Sequence, residues 1–367
     1  MSEVPIADPQ LGVAERERVA DVFDSGMLAA GEEVAAFEAE FADHCGTDHA
    51  VATTNGTTAL HAALEAVGVG PGDVVVTTPF SFVATANAIR FAGGIPKFAD
   101  VDLETFNLDP EAVEARIRAI DGPVSAIVPV HLYGLPADMD RFRELADEYD
   151  AALVADAAQA HGASYGGEPV GSLADAATFS FYPTKNMTTG EGGMVTTDDP
   201  DVADALERFI DHGRPVDGDS YEHVELGHNY RMTNLAAAIG RAQLEKLPEF
   251  TETRRENAAA LDAALADTPL RTPTEPDDRQ HAYHQYTVRT DDREAVRDRF
   301  DECGVGSAVY YPELIPELDA YEGAAHSLPV AERLTDEVLS LPVHPGLDEA
   351  ALERIADAAA GMEVPRV

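Results

Sequence analysis

The chain of 367 residues carries 25 lysines and arginines against 68 aspartates and glutamates, a formal charge of −43, with 45% hydrophobic residues and no tryptophan. That hydrophobic share is ordinary for a globular chain with room for one two-lobed unit or two domains. So acidic a surface excludes nucleic acid and anionic membrane as partners, because phosphate backbones call for basic patches. The acids are spread through helical segments such as "VAERERVADVFDSG" and "DPEAVEARIRAI", where they are expected on outer faces. Distributed self-repulsion of this kind is relieved by salt screening and predicts a salt-adapted cytoplasm. Cys45 and Cys303 stand far apart with no ligand cluster, so neither a disulfide framework nor a metal site is expected. No apolar run reaches the roughly 18 residues of a membrane span, and "MSEVPIADPQ" has no basic-then-apolar signal, so a cytoplasmic protein is expected.

In chain order, "HAVATT" (49–54) reads as a strand and "TTALHAALEAVGV" as a helix. "DVVVTT" (73–78) leads to a helix in "ATANAIRFAGG". "SAIVPVHLYG" and "AALVADAAQA" are buried-strand candidates, the second preceded by the amphipathic helix "MDRFRELADEYD". "ATFSFYP" and "GGMVTTDD" complete an α/β alternation that implies a mostly parallel sheet flanked by helices. Composition changes near Leu247–Pro248, followed by a long helix, "FTETRRENAAALDAALAD", and a Pro-rich stretch. Beyond lie a strand in "AYHQYTVRT", a helix in "REAVRDRFDECG", a strand in "VGSAVYYP" and a closing helix in "LDEAALERIADAAA". The expected division is a large domain over 1–247 and a smaller α+β domain over 248–367.

Ligands of parallel α/β sheets collect beyond the carboxyl ends of the strands, so those positions are the ones to inspect. After the first strand come Asn55, Gly56 and Thr57 at the mouth of a helix, suited to an anion or equally to an ordinary N-cap. Phe82 follows the second strand, either to stack on a flat ring or to pack in the core. Asp156 ends an apolar strand, where a carboxylate is costly without a partner, and Gln159 follows it. Lys185 is one of three lysines, with Lys97 and Lys246, and lies between "ATFSFYP" and "GEGG". Burial without an acidic partner would lower its pKa and make it a Schiff-base nucleophile, a role arginine cannot fill. Ser180 precedes it with a hydroxyl for an anion. "GHNYRMT" gathers His228, Asn229, Tyr230 and Arg231 before a helix, either as a site or as a polar loop. An anion cradle, a stacking aromatic, a carboxylate and a lysine together suit pyridoxal 5′-phosphate (PLP), whose pyridinium proton Asp156 would hold.

These pieces occur in one order with "SGMLAAGEEVAAFEAEFA", "GTTAL", "FSFVATANAI", "VPVHLYGLPADM", "DAAQAHGA", "FSFYPTKNMTTGEGGM", "GHNYRMTNLAAAIGRAQLEKL" and "LSLPVHPGLDEAALERIADA". In them the chain resembles the DegT–StrS family of PLP-dependent nucleotide-sugar aminotransferases, nearly end to end. The resemblance implies the aspartate-aminotransferase (type I) fold and PLP bound covalently to Lys185, which later moves the proton. It implies that Asp156 contacts the pyridine nitrogen, Gln159 the ring hydroxyl, and Phe82 the ring face. Gly56, Thr57 and Ser180 would hold the phosphate, joined by Asn229 of the neighbouring subunit in a homodimer with shared sites. Arg231 would assist at that shared site.

Asn55 stands where the family usually has serine, Ala155 where it usually has an acid, and Pro316 where many members have histidine. Relatives that remove a hydroxyl carry histidine in place of the lysine, so Lys185 points to amine transfer. The implied reaction takes an amino group from glutamate, releasing 2-oxoglutarate, and gives it to a nucleotide-linked keto-sugar for amino-sugar or surface-glycan synthesis. Arg231, Arg214 and loop amides are candidates for the nucleotide's charge. His131, Tyr133, Tyr310 and Tyr311 either line the sugar pocket or pack structurally. The alternatives are another type I PLP enzyme, such as an amino-acid or cyclitol aminotransferase, and a non-catalytic regulatory protein of the same fold.

Overall fold

The computed structural model describes residues 3–215, 221–321, 327–360 and 362, so the expected domain limit at 367 lies outside them. The large lobe contains, in order, α1 (Val13–Ser25), α2 (Glu32–Cys45), β1 (His49–Thr53), α3 (Gly56–Ala66), β2 (Val74–Thr77), α4 (Ala84–Phe91), β3 (Ile95–Phe98) and α5 (Pro110–Arg118). It continues with β4 (Ala126–Val128), α6 (Met139–Tyr149), β5 (Ala152–Asp156), the two-residue strands β6 (Ser164–Tyr165) and β7 (Glu168–Pro169), β8 (Ala176–Ser180), β9 (Gly193–Thr197) and α7 (Pro200–Ile210). Helix α8 (Asn234–Leu265) leads to β10 (Arg279–Gln280), β11 (Tyr286–Arg289), α9 (Arg293–Glu302), α10 (Pro329–Glu337), β12 (Val338–Leu341) and α11 (Glu349–Ala360).

Seven strands form the main sheet in the order β1-β9-β8-β5-β4-β2-β3. Only β9 runs against the others, pairing antiparallel with both β1 and β8. The strands are apolar on both faces because both are covered. Ala52, Val76, Leu153, Ala155 and Ala177 enter one core, while Val51, Val75, Val154 and Ala176 enter the other. Alternate side chains point to opposite faces, so near-continuous apolar runs are the natural outcome. The carboxyl ends of β1, β2, β4, β5 and β8 consequently open on one edge of the sheet.

Several elements differ from the sequence reading. The strand expected across "SAIVPVHLYG" stops at Val128, since Pro129 has no amide proton for a ladder, and a turn of 3-10 helix at Leu132–Gly134 carries Tyr133 at φ 57°. No strand forms in "VGSAVYYP"; there Ala308 exchanges a single pair of hydrogen bonds with Ser340, and the chain then leaves the sheet. β12, unanticipated in the sequence, takes the pairing with β11. The long helix expected after Pro248 begins at Asn234, and α8 runs unbroken through Pro248. Its Ala237, Leu244 and Leu247 pack in the large lobe, and its Ala258, Leu261 and Leu265 in the small one. Packing at both ends outweighs the one backbone bond a proline removes.

Not every helical acid faces outward. Glu15 of α1 is buried, paired with Lys246 of α8 and bonded by Gln243 Nε2 at 2.7 Å and by the Gly12 amide at 2.7 Å. Burial alone would raise its pKa, but these donors prevail and hold it at about 2. A carboxylate held below its unfolded value stabilises the fold above pH about 4.5, and that contribution disappears as pH falls toward 2. Glu15→Gln should therefore cost about 2 kcal/mol at neutral pH. The difference from wild type, measured by urea unfolding, should shrink steadily between pH 4.5 and 2.

Candidate active site

The β1–α3 turn is organised by Asn55. Its Oδ1 accepts from the Thr58 amide at 3.0 Å, and its own amide donates to Thr58 Oγ1 at 3.1 Å, a reciprocal cap. The amides of Gly56 and Thr57, in the first turn, take no part in it. Asn55 thus serves the helix where a serine could serve equally. Ser180, at the end of β8, packs against Gly56 so closely that a Cβ on Gly56 would lie 2.7 Å from the serine Cβ. Gly193, at the start of β9, is as tightly placed, since a Cβ there would come within 2.4 Å of the Asn55 carbonyl oxygen. Free amides at the positive end of α3 and the Ser180 side chain meet where these loops pack, with Thr57 on the same turn, a fit for a phosphate.

Asp156 ends β5 and is 4% exposed. Its Oδ2 accepts from the Thr85 hydroxyl at 2.7 Å and its Oδ1 from the Ala158 amide at 3.1 Å. Burial raises its pKa, opposed by Thr85, Ala158 and the nearby charge of Lys185. Lys185 is held the other way: burial lowers its pKa to about 8, while Asp156 pulls it back up. An acid does therefore face this lysine, contrary to the expectation from its neighbours in sequence; the partner comes from another strand. The lysine amide donates to the Tyr182 carbonyl at 2.9 Å, fixing the loop.

Gln159 is oriented at both ends of its amide: Oε1 accepts from the Tyr133 amide at 2.7 Å, and Nε2 donates to Tyr311 Oη at 2.7 Å. Tyr133 and Tyr311 stack with ring centroids 5.9 Å apart, both buried. Tyr310 is half-buried beside them. His131 serves the backbone instead, its Nδ1 accepting from the Ala137 amide at 3.0 Å. Burial, aided by the charge of Arg279, depresses its pKa to about 3, so it is neutral. Phe82 is 62% exposed in the segment between β2 and α4, a bare aromatic face. Asn229 is exposed, its backbone bridged to Asp211. Arg231 bridges by its backbone to Thr53 and pairs with Asp211, which also receives Arg214 at 3.4 Å. These two arginines are engaged within this chain and do not join the cluster around Lys185.

Sequence reasoning missed Thr85, although it lies three residues after Phe82. A threonine in the first turn of a helix reads as local capping, and nothing in the sequence says that α4 opens against the end of β5. It also missed a group of buried basic side chains near Lys185: His161, His284 and Arg254.

The donor set fits PLP: a phosphate cradle, an exposed aromatic, a buried carboxylate and an amine of lowered pKa on one edge of the sheet. Comparison with known proteins agrees. Residues 9–360 match the DegT/DnrJ/EryC1/StrS aminotransferase family. The chain is 40% identical to a GDP-perosamine synthase of Caulobacter vibrioides, covering 97% of this chain and 98% of that protein. It is likewise 40% identical to a protein of Geobacillus stearothermophilus named a pleiotropic regulatory protein, covering 92% of each. The crystal structure of Streptomyces venezuelae DesV in complex with a ketimine intermediate superposes with a TM-score of 0.93 at 38% identity, over 98% of both chains. The fold is that of the type I PLP-dependent transferases. The chain belongs to the DegT/DnrJ/EryC1/StrS family, a family of PLP-dependent aminotransferases.

The depressed lysine has a direct readout in the cofactor-free protein. In competitive labelling with an amine reagent and peptide mapping, Lys185 should reach half-maximal reactivity near pH 8, where ordinary lysines remain protonated. Asp156→Asn removes the charge that favours the ammonium, so the Lys185 midpoint should fall below 8. A midpoint unchanged by that substitution would show that the two groups do not interact.

Proposed function

We propose that this protein is a nucleotide-sugar aminotransferase that moves an amino group from glutamate to a keto-sugar for amino-sugar and surface-glycan synthesis. The observation that carries the proposal is a half-buried Lys185 within the electrostatic reach of the buried Asp156, on the same sheet edge as the Gly56–Ser180 contact. PLP, bound covalently through Lys185 Nζ, supplies an electron-withdrawing ring that accepts the electron pair released when the donor's Cα–H bond breaks.

The remaining chemistry belongs to the chain. Gly56, Thr57 and Ser180 hold the phosphate with backbone amides and hydroxyls, fixing the cofactor's position. Phe82 covers one face of the ring and excludes water from it. Asp156, which accepts from the Thr85 hydroxyl and the Ala158 amide, would hold the proton on the ring nitrogen. Gln159, aligned by Tyr133 and Tyr311, presents its amide to the ring hydroxyl. Lys185 Nζ, neutral in a larger fraction than an ordinary lysine at physiological pH, carries the proton between the donor's Cα and the cofactor. The acceptor sugar lies toward Tyr310, Tyr311 and Tyr133; His131 contributes through its backbone contacts.

The protein acts as a homodimer in which Asn229 of one protomer completes the phosphate site of the other, with Arg231 close by. Supporting this, Tyr221, Val224 and Leu226 stand exposed in the same loop, apolar side chains that a second protomer would cover. The large and small domains divide near residue 248 within α8. The formal charge of −43 supports function in a salt-adapted cytoplasm. Among the described residues no helix is long and apolar enough to cross a membrane.

Borohydride reduction of the cofactor-loaded enzyme followed by peptide mapping should place the pyridoxyl label on Lys185. Lys185→Arg should abolish the label and lower transamination by a factor of about a thousand or more, because a guanidinium neither condenses with the aldehyde nor returns the proton. Incubation with glutamate and a panel of nucleotide-linked keto-sugars should yield 2-oxoglutarate and an aminated sugar. A label on another residue overturns the site assignment. No aminated product with any sugar overturns the substrate class and favours a regulatory or amino-acid-directed role.

A further inference from the structure

Arg254 sits near the middle of α8, 6% exposed, and no carboxylate among the described residues pairs with it. Its Nη1 donates to the carbonyl oxygens of Tyr283 at 3.0 Å and His284 at 3.4 Å, which occupies one edge of the guanidinium. The other edge, Nε with Nη2, makes no hydrogen bond among the described residues, and Nε is shut off from solvent. Burial lowers its pKa to about 10 with no acid opposing the shift. A buried cation with an unused donor edge is costly until a counter-charge arrives.

Arg254 lines a narrow pocket with Thr184, His284, Gln285, Tyr310 and His344, about 280 Å³ including its open mouth. Thr184 immediately precedes Lys185, and the lysine's charge is felt at His284. His284 Nδ1 is buried without a partner, so a neutral imidazole can carry its proton there and donate into the pocket. His344 directs Nε2 to the Pro5 carbonyl at 3.0 Å, leaving Nδ1 unpartnered. The acid near this group is Asp8, exposed on the outer side by His344. The unused guanidinium edge matches the planar head of a carboxylate with two parallel hydrogen bonds.

We propose that the Nε–Nη2 edge of Arg254, with His284 beside it, receives a carboxylate of the amino donor and thereby directs the donor's nitrogen toward Lys185. This rests on the reading above that the donor is glutamate, and it adds the residue that selects an acidic donor. The pairing supplies the counter-charge that the folded chain leaves missing.

The test uses glutarate, a dicarboxylate with no amine to transfer, titrated calorimetrically into the cofactor-loaded enzyme. Arg254→Gln should weaken glutarate binding by about ten- to a hundredfold, and Arg254→Lys, which keeps charge but loses the fork, by an intermediate factor. Thermal melts establish that each variant is folded; if Arg254→Gln does not melt cooperatively, Arg254→Lys carries the test. Glutarate affinity within twofold of wild type in a folded variant overturns the assignment. So does a melting shift with chloride that the variant loses while glutarate affinity stays the same, since the pocket then holds a free halide. Should wild type transaminate from glutamate while the variants bind glutarate normally, only the Arg254 assignment fails. Should wild type neither bind glutarate nor accept glutamate, the donor reading fails with it.

Discussion

The placing of a half-buried Lys185 near the buried Asp156 is the constraint around which this structure is arranged. Each group is costly in an apolar setting, and burial pushes each toward its neutral form. Their mutual attraction, with the Thr85 hydroxyl and the Ala158 amide, limits that drift without cancelling it. The result is an amine with a pKa near 8 beside a carboxylate held by two hydrogen bonds, which suits proton transfer close to neutrality. Neither group would have these properties on the surface.

The sheet topology makes that juxtaposition possible. Asp156 ends β5, Ser180 ends its parallel neighbour β8, and β9 returns antiparallel between β8 and β1. That return brings the Gly56 turn against Ser180, with glycines at 56 and 193 because a side chain at either would collide with the opposing loop. α8 then links the two lobes, with residues in both cores, and carries Arg254 to the neighbourhood of Lys185. Glu15 and Lys246 fasten the start of the chain to the same helix.

Lys246 and Lys185 illustrate how differently one residue type is used. Lys246 serves as a charge, neutralising a buried glutamate. Lys185 serves as a nitrogen whose charge is partly suppressed. Arg254 shows the converse: a cationic fork buried without a carboxylate on the described part of its own chain, one edge of it satisfied by the Tyr283 and His284 carbonyls and the other unused.

The order of strands and helices was legible in the sequence because apolar runs and helical spacing are local signals, as was the placing of Gly56, Asp156 and Lys185 at strand ends. The family resemblance added roles for them. Other features were not legible, for physical reasons. "VGSAVYYP" has strand composition but makes only isolated bridges, Val305 to Val4 and Ala308 to Ser340 of β12, to two different segments. Pro248 looks like a boundary, yet packing at both ends carries the helix through it. Whether His131 lines a pocket or packs structurally is open in the sequence; in the structure its ring accepts from the Ala137 amide. Thr85 against Asp156 spans 71 positions, and Arg254 against the His284 carbonyl spans 30. By itself the sequence determined which residue types stand at the ends of which strands. Only the tertiary structure decided which of them meet and what charge each carries, because partners and desolvation depend on neighbours distant along the chain.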